Sequence, residues 1–346
     1  MKKTLYQISG QALVGNELAL SPVDIIIENG HITAIEDNSG APDCWICPAL
    51  FNAHTHLGDT VAMDCSATGD LTALVTPPHG LKHRLLAAAS RKDLVKGMRT
   101  SIKGMIKGGV AGCADFREGG VNGVTALKEA SDGLSFSSVI FGRNGGEKCA
   151  DGLGISSTRD VKEIERLVRD AKRMGKKIAF HAGERDSEDV DAALAYEPDL
   201  IIHATHATKK QLRQCAEMAI PIAVCPRSNW TLGVTKTAQK PPLHLMHKLG
   251  CTLYLGTDNA MFVPPDLFSE MAFVSTVYRL EPEILLRAAV QGSELTGESF
   301  FIRTGARANL FRIDPLKSAL QFSRDPVTSI IKRVSCGHIV HNVFNS

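Results

Sequence analysis

The chain has 346 residues, 44% of them hydrophobic and 22% charged, which is ample material for a large core and the composition of an ordinary globular protein. Lys and Arg total 39 against 37 acidic residues, and a net charge of +2 argues against bulk attraction to nucleic acid or to an anionic membrane surface. The first residues carry two lysines but no signal-peptide apolar core, no apolar run reaches a membrane span, and the nine scattered cysteines read as free thiols, so a cytoplasmic location is expected.

Residues 23–27 and 31–35 are β-rich runs around the turn signal Asn29-Gly30, which predicts a hairpin in a small β-layer. Residues 45–51 read as a short buried strand, and the C-x-x-C pair Cys44 and Cys47 there reads as packing. That strand leads to His54-Thr55-His56. Side chains alternate along a strand, so His54 and His56 point the same way and can offer two imidazoles to one point. Residues 61–83 are irregular, with Thr76-Pro77-Pro78-His79-Gly80 as a loop signal, and predict a lid over the site that carries His79 and His83. Leu85, Leu86, Leu94, Met98, Ile102, Met105 and Ile106 recur at helical spacing until Gly108-Gly109, which predicts one long amphipathic helix.

Strands and helices then alternate. Strand 110–115 ends in Phe116-Arg117-Glu118, and strand 136–141, after a helix over 122–131, ends in Gly142-Arg143-Asn144. A weak strand over 152–155 precedes a helix over 159–174 capped by Thr158. Strand 177–180 ends in His181-Ala182-Gly183-Glu184. After a helix over 187–196, strand 199–202 ends in His203 with His206 close behind. A helix over 209–218 leads to strand 220–224, which ends in Cys225-Pro226-Arg227-Ser228-Asn229. A helix over 243–249 precedes the last strand, 251–255, which ends in Gly256-Thr257-Asp258. Eight such units predict an α/β fold, a (β/α)8 TIM-type barrel over residues 49–305 closed by helices 268–278 and 282–291. The β-rich tail pieces 309–313, 327–331 and 338–341 are expected to join the N-terminal segment, so that residues 1–48 and 306–346 form a small β-sandwich.

In such a barrel the active site lies at the C-terminal ends of the strands. These deliver His54, His56, His181, Glu184, His203, His206 and Asp258, residue types that converge on a metal. A nitrogen-rich shell with a single oxygen suits Zn²⁺, with Fe²⁺ the main competitor, whereas Mg²⁺ and Ca²⁺ prefer oxygen cages.

The pattern His54-x-His56, His181-Ala182-Gly183-Glu184, a histidine after the sixth strand and Gly256-Thr257-Asp258 resembles the amidohydrolase superfamily, in its deaminase-like branch with one catalytic metal. The string Cys225-Pro226-Arg227-Ser228 is similar to one in adenosine deaminases. The resemblance implies one metal per chain held by His54, His56, His181 and Asp258, and a bound water made nucleophilic near neutral pH. It also implies Asp258 as proton acceptor, Glu184 as the group that protonates a ring nitrogen and then the leaving ammonia, and His203 as the residue orienting the attacking oxygen, with His206 as the fallback. Residues 152–157 offer neither a lysine nor a carboxylate to bridge a second metal. Arg117, Glu118, Arg143, Arg227, Ser228 and Asn229 sit just past strand ends, where loops contact a small-molecule substrate. Dimers are common among similar proteins. The expected reaction is hydrolysis of a non-peptide C–N bond, foremost deamination of a purine, pyrimidine or related N-heterocycle. Cyclic-amide hydrolysis is the close rival, and a non-catalytic barrel scaffold the distant one.

Overall fold

The computed structural model describes residues 5–77 and 79–345. Two sheets organise the chain. The first is a mixed sheet of β1 (Leu5–Val14), β2 (Ala19–Glu28), β3 (His31–Asp37) and β4 (Trp45–Pro48), with β14 and β15 arriving from the far end of the chain. The other is parallel throughout: β5 (Leu50–His56), β6 (Val110–Arg117), β7 (Ser137–Gly142), β8 (Gly152–Ile155), β9 (Lys177–Ala182), β10 (Leu200–His203), β11 (Ile222–Val224), and then β12 (Leu253–Leu255) and β13 (Asp258–Asn259). Strand β14 is Leu310–Ile313 and β15 is Ile339–Asn342.

The parallel sheet closes through its eighth strand, which is split. Its first half, β12, pairs with β11, and its second half, β13, pairs with β5. Between the halves, Gly256 N donates to Val224 O at 3.0 Å and Thr257 N donates to His54 O at 3.1 Å, so the ladder passes from the seventh strand to the first without a gap. A Cβ on Gly256 would stand 2.7 Å from the His54 Cβ, which is why a glycine occupies the crossing. The barrel strands are buried on both faces, as parallel strands under helices must be. A single core runs through the barrel, and a separate one built around Ile8, Val23, Ile25, Ile27, Ile46 and Leu310 fills the small sheet.

Several local expectations are corrected. The predicted strand over 45–51 is divided at Ala49: β4 joins the small sheet and β5 starts the barrel. The single long helix is two, α2 (Leu81–Ala88) and α3 (Arg91–Lys107), following the short α1 (Leu71–Val75). Ser90 breaks it: its hydroxyl accepts from Asp93 N at 3.1 Å and so caps α3. Met98, Ile102, Met105 and Ile106 then bury one face of α3. Thr158 caps no helix, because the chain turns until Glu163, in the left-handed region, and the helix is Ile164–Arg173. Residues 327–331 are not a strand. Pro326 starts a helix, Pro326–Arg333, whose cap Asp325 accepts from Thr328 N. The stretch after β11 is a further helix, Pro226–Thr231, again with proline in its first turn.

Candidate active site

Along β5 the side chains of Asn52, His54 and His56 share the inner face. Asn52 locks the register of the closing strand through both its amide atoms, Nδ2 donating to Thr257 Oγ1 at 2.8 Å and Oδ1 accepting from Thr257 N at 3.1 Å. The same strand therefore aims the two histidines and fixes Asp258 opposite them. Asp258 Oδ1 lies 3.1 Å from His54 Nε2 and 3.5 Å from His56 Nε2, while its Oδ2 accepts from Ser228 Oγ at 2.5 Å. Asp258 has φ 62 and His203 φ 74, both in the left-handed region that ordinary residues avoid. Such strain costs on the order of 1–3 kcal/mol per residue and collects where function fixes geometry.

His56 directs Nδ1 at Phe116 O, 3.0 Å away, and His181 directs Nδ1 at Ile155 O, 2.9 Å away. Each Nδ1 is therefore the N–H donor, and each Nε2 keeps a lone pair facing the centre. Ligand atoms of His54, His56 and Asp258 fall within 4.8 Å of one another, as do those of His54, His181 and His203, and those of Glu184, His203 and Asp258. Burial pushes His54 down to about 4 and His56 down to about 3, the latter helped by the Lys82 charge. It also holds His181 well below the usual range, with His54 and Arg143 adding to the effect. These imidazoles are neutral at pH 7, the form that ligates. Burial works to raise Asp258, but the His54 hydrogen bond and the surrounding imidazoles hold it well below the carboxylate range. Neutral nitrogens around one anionic oxygen fit a borderline-soft divalent ion such as zinc.

Glu184 stands beyond Gly183, whose φ of 70 makes the turn; a Cβ there would meet the Ala204 backbone at 3.0 Å. The turn brings Glu184 Oε1 to 3.6 Å from His203 Nε2. Burial raises the Glu184 pKa, with His203 opposing it. Both residues line the cavity above the histidines, together with His56, His181 and Asp258.

The other sequence candidates divide. Glu118 and Arg143 line this cavity. His206 turns away, its Nε2 3.1 Å from Val234 O, so of the two candidates in that segment His203 is the one at the centre. Ser228 reaches Asp258 rather than open space, and Asn229 Nδ2 donates to Thr205 Oγ1 at 2.7 Å. Arg117 is buried behind Glu118, bonded to Asp115 Oδ1 at 3.1 Å and to Glu118 Oε2 at 2.7 Å, and does not line the cavity. Arg227 is held by Glu270, Nε to Oε2 at 2.6 Å, and by two carbonyls.

The predicted lid contributes Leu71, Val75, Thr76, Pro77, Lys82 and His83 to the cavity wall; His79 is exposed and outside it. Pro78 lies outside the described residues. Lys82 was not legible in the sequence. It reads as one more base in Lys82-His83-Arg84, yet it is buried with Nζ 3.0 Å from Asp59 Oδ2 and 2.9 Å from Glu118 Oε1. Ser156, Ser157, Arg159, Arg185, Asp189 and Asn259 also line the cavity without a sequence signal. No helix among the described residues is long and apolar enough to cross a membrane.

Residues 45–344 match the model of the Amidohydrolase family. The chain is 32% identical to a candidate aminohydrolase of Methanothermobacter thermautotrophicus, an alignment covering 96% of each protein. It is 24% identical to the 5-methylthioadenosine/S-adenosylhomocysteine deaminase of Halobacterium salinarum, over 91% of this chain and 85% of that one. Its fold is similar to that of an adenosine deaminase from Xanthomonas campestris with bound zinc, with a TM-score of 0.80 at 16% identity over 98% of this chain and 92% of the other. With the inner-face histidines and the aspartate of the closing strand in place, the chain belongs to the Amidohydrolase family, in its deaminase-like branch, and is a metal-dependent hydrolase of C–N bonds other than peptide bonds.

Proposed function

We propose that the chain is a one-metal aminohydrolase that cleaves the exocyclic C–N bond of a purine, pyrimidine or related N-heterocycle and releases ammonia. The observation that carries the reading is the place of Glu184. It is a carboxyl group with a raised pKa, beside His203 and within one 4.8 Å cluster with Asp258, on the wall of the cavity above the histidines. His54, His56, His181 and Asp258 would hold Zn²⁺, with Fe²⁺ the competitor; when bound, the ion supplies the Lewis acidity that makes a water nucleophilic near neutral pH.

Each residue then has a task its position supports. Asp258, anionic and anchored by Ser228, accepts the proton of the attacking water. Glu184, whose pKa burial raises, donates to the ring nitrogen so that the ring carbon can take up the oxygen. His203 points Nε2 at the same space and stabilises the tetrahedral adduct. When the C–N bond breaks, Glu184, having taken up the proton of the adduct's hydroxyl, hands it to the departing amine, which leaves as ammonia as the carbonyl forms. The fourth barrel strand, Gly152-Leu153-Gly154-Ile155, supplies no lysine or carboxylate, which favours one metal over two. A relative named for deamination supports ammonia as the leaving group.

The test is metal analysis of the purified chain with an ammonia-release screen over purines, pyrimidines, nucleosides and pterins. About one equivalent of zinc or iron, with ammonia from one class, is the expected result. Ring-opened product without ammonia would replace the reading by cyclic-amide hydrolysis, and absence of metal would remove it. Glu184→Gln is expected to keep the metal and lower kcat by a factor of about 10² or more. His181→Ala is expected to lower metal occupancy itself.

A further inference from the structure

Arg143 follows β7 and faces two spaces at once. It lines the cavity over the histidines and also an adjoining chamber of about 590 Å³, and Pro77, His83, Glu118, Ser156 and Asp160 stand with it in the shared wall. Its Nε and Nη2 are both buried, and neither has a hydrogen-bond partner among the described residues. The neighbouring carboxylates are engaged elsewhere: Glu118 with Lys82 and Arg117, Asp59 with Lys82, Asp115 with Arg117. Nε–H and Nη2–H are the parallel pair of a guanidinium, the edge that takes two oxygens of one carboxylate or phosphate side by side. A charged donor pair left buried and unpaired is costly, and such groups in native proteins await a partner. The chamber beyond carries Lys148 and Lys162, both exposed, at its outer side.

We propose that Arg143 is the anion subsite of the substrate: the N-heterocycle sits over the histidine cluster while a carboxylate or phosphate substituent is gripped side-on by Nε and Nη2, with the remainder of the molecule in the 590 Å³ chamber. The inference rests on the aminohydrolase reading for the ring and names the class of substrate, an anionic derivative of an amino-heterocycle. A single ring carbonyl fills one N–H and leaves the other unpaired, whereas an oxyanion fills both and meets the charge. Glu147 and Asp160 also line the chamber, but Glu147 Oε2 is taken by Gly145 N at 2.8 Å.

The experiment uses zinc-loaded full-length chain and two matched pairs of probes, pterin with pterin-6-carboxylate and adenosine with adenosine 5′-monophosphate. Thermal shift and ammonia release are measured for the wild type, Arg143→Gln and Arg143→Lys. A charged member is expected to raise Tm more than its neutral partner. In Arg143→Gln the charged-to-neutral ratio of kcat/KM should fall tenfold or more, with Arg143→Lys between, because lysine restores charge without the fork. The pterin pair reads a carboxylate and the adenosine pair a phosphate. A charge-selective, Arg143-dependent Tm shift with no ammonia from any probe would uphold the subsite and remove the aminohydrolase reading. Ammonia from a neutral probe with no advantage to its charged partner, or a ratio unchanged in both variants, would overturn the subsite and leave the aminohydrolase reading standing. No Tm rise with either charged probe would also overturn it.

Discussion

Ser228 illustrates how a residue outside the cavity wall governs one inside it. Its hydroxyl occupies Asp258 Oδ2, so Oδ1 is the oxygen left facing His54 and His56, and Asp258 is held in a backbone region it would otherwise leave. Supporting hydrogen bonds of this kind typically change metal affinity or activity by about 10–100-fold when removed. Ser228→Ala is accordingly expected to fold, to retain metal at saturating zinc and to lose about 10–100-fold in kcat; activity within twofold of wild type would show that the carboxylate is oriented without it. The sequence made His54, His56, His181, Glu184 and Asp258 readable because each stands at a fixed offset from an apolar strand, and the barrel brings strand ends to one face. The task of Ser228 was not readable, since the same spacing serves a residue facing substrate and one facing Asp258.

Lys82 ties the segment over the cavity to the barrel. α2 packs Lys82 between Asp59, in the turn after β5, and Glu118, after β6, so a single ammonium joins that segment to two barrel strands. Removing one member of a buried ion cluster leaves the others charged and desolvated, a loss of about 3–5 kcal/mol. Lys82→Met is expected to lower Tm and to raise protease cleavage and amide exchange selectively within residues 71–88, while the barrel strands stay protected. The double variant Lys82→Met with Asp59→Asn should recover part of that loss, because Asp59 is then neutral and Glu118 keeps Arg117 as its partner; strict additivity would mean the contacts are not coupled. That part of residues 61–83 borders the cavity was legible from Thr76-Pro77, whereas the short helix Leu71–Val75 inside the stretch expected to be irregular was not. The break between α2 and α3 was harder to see, because the apolar spacing runs through it and only Ser90, with Asp93 three residues on, marks the new start. The tail helix Pro326–Arg333 was hidden for a related reason: Val327, Ile330 and Ile331 suit a strand by type, and the local Asp325-Pro326 start outweighs that preference.

At the scale of the whole molecule, barrel closure buries the proposed metal ligands together at one point, and this has a consequence for pH. An exposed histidine titrates near 6.5, so a site formed only on metal binding loses up to about tenfold in affinity per histidine for each pH unit below that value. Here burial among Phe116 and the other imidazoles holds His54 at about 4 and His56 at about 3, with His181 also well below its usual range. For a base whose folded pKa is depressed, the neutral form persists as pH falls, so protons compete with metal only as pH approaches the folded values. The cost falls on folding instead. Below about 6.5 the unfolded chain takes up protons that the folded one refuses, so these histidines contribute stability that is present above 6.5 and lost toward about 4 and 3. Asp59, raised by burial to about 7 against the pull of Lys82, acts in the opposite sense: the folded chain keeps its proton where the unfolded one has lost it, so its contribution declines as pH rises from about 3.8 to about 7. Zinc affinity, measured by chelator competition at pH 7.5, 6.5 and 5.5 on folded, metal-stripped chain, is expected to change by less than about threefold after correction for the chelator. A fall of about two orders of magnitude between pH 6.5 and 5.5, as three ordinary histidines would give, would mean that the ligands are solvated and the centre is built by the metal rather than by the barrel.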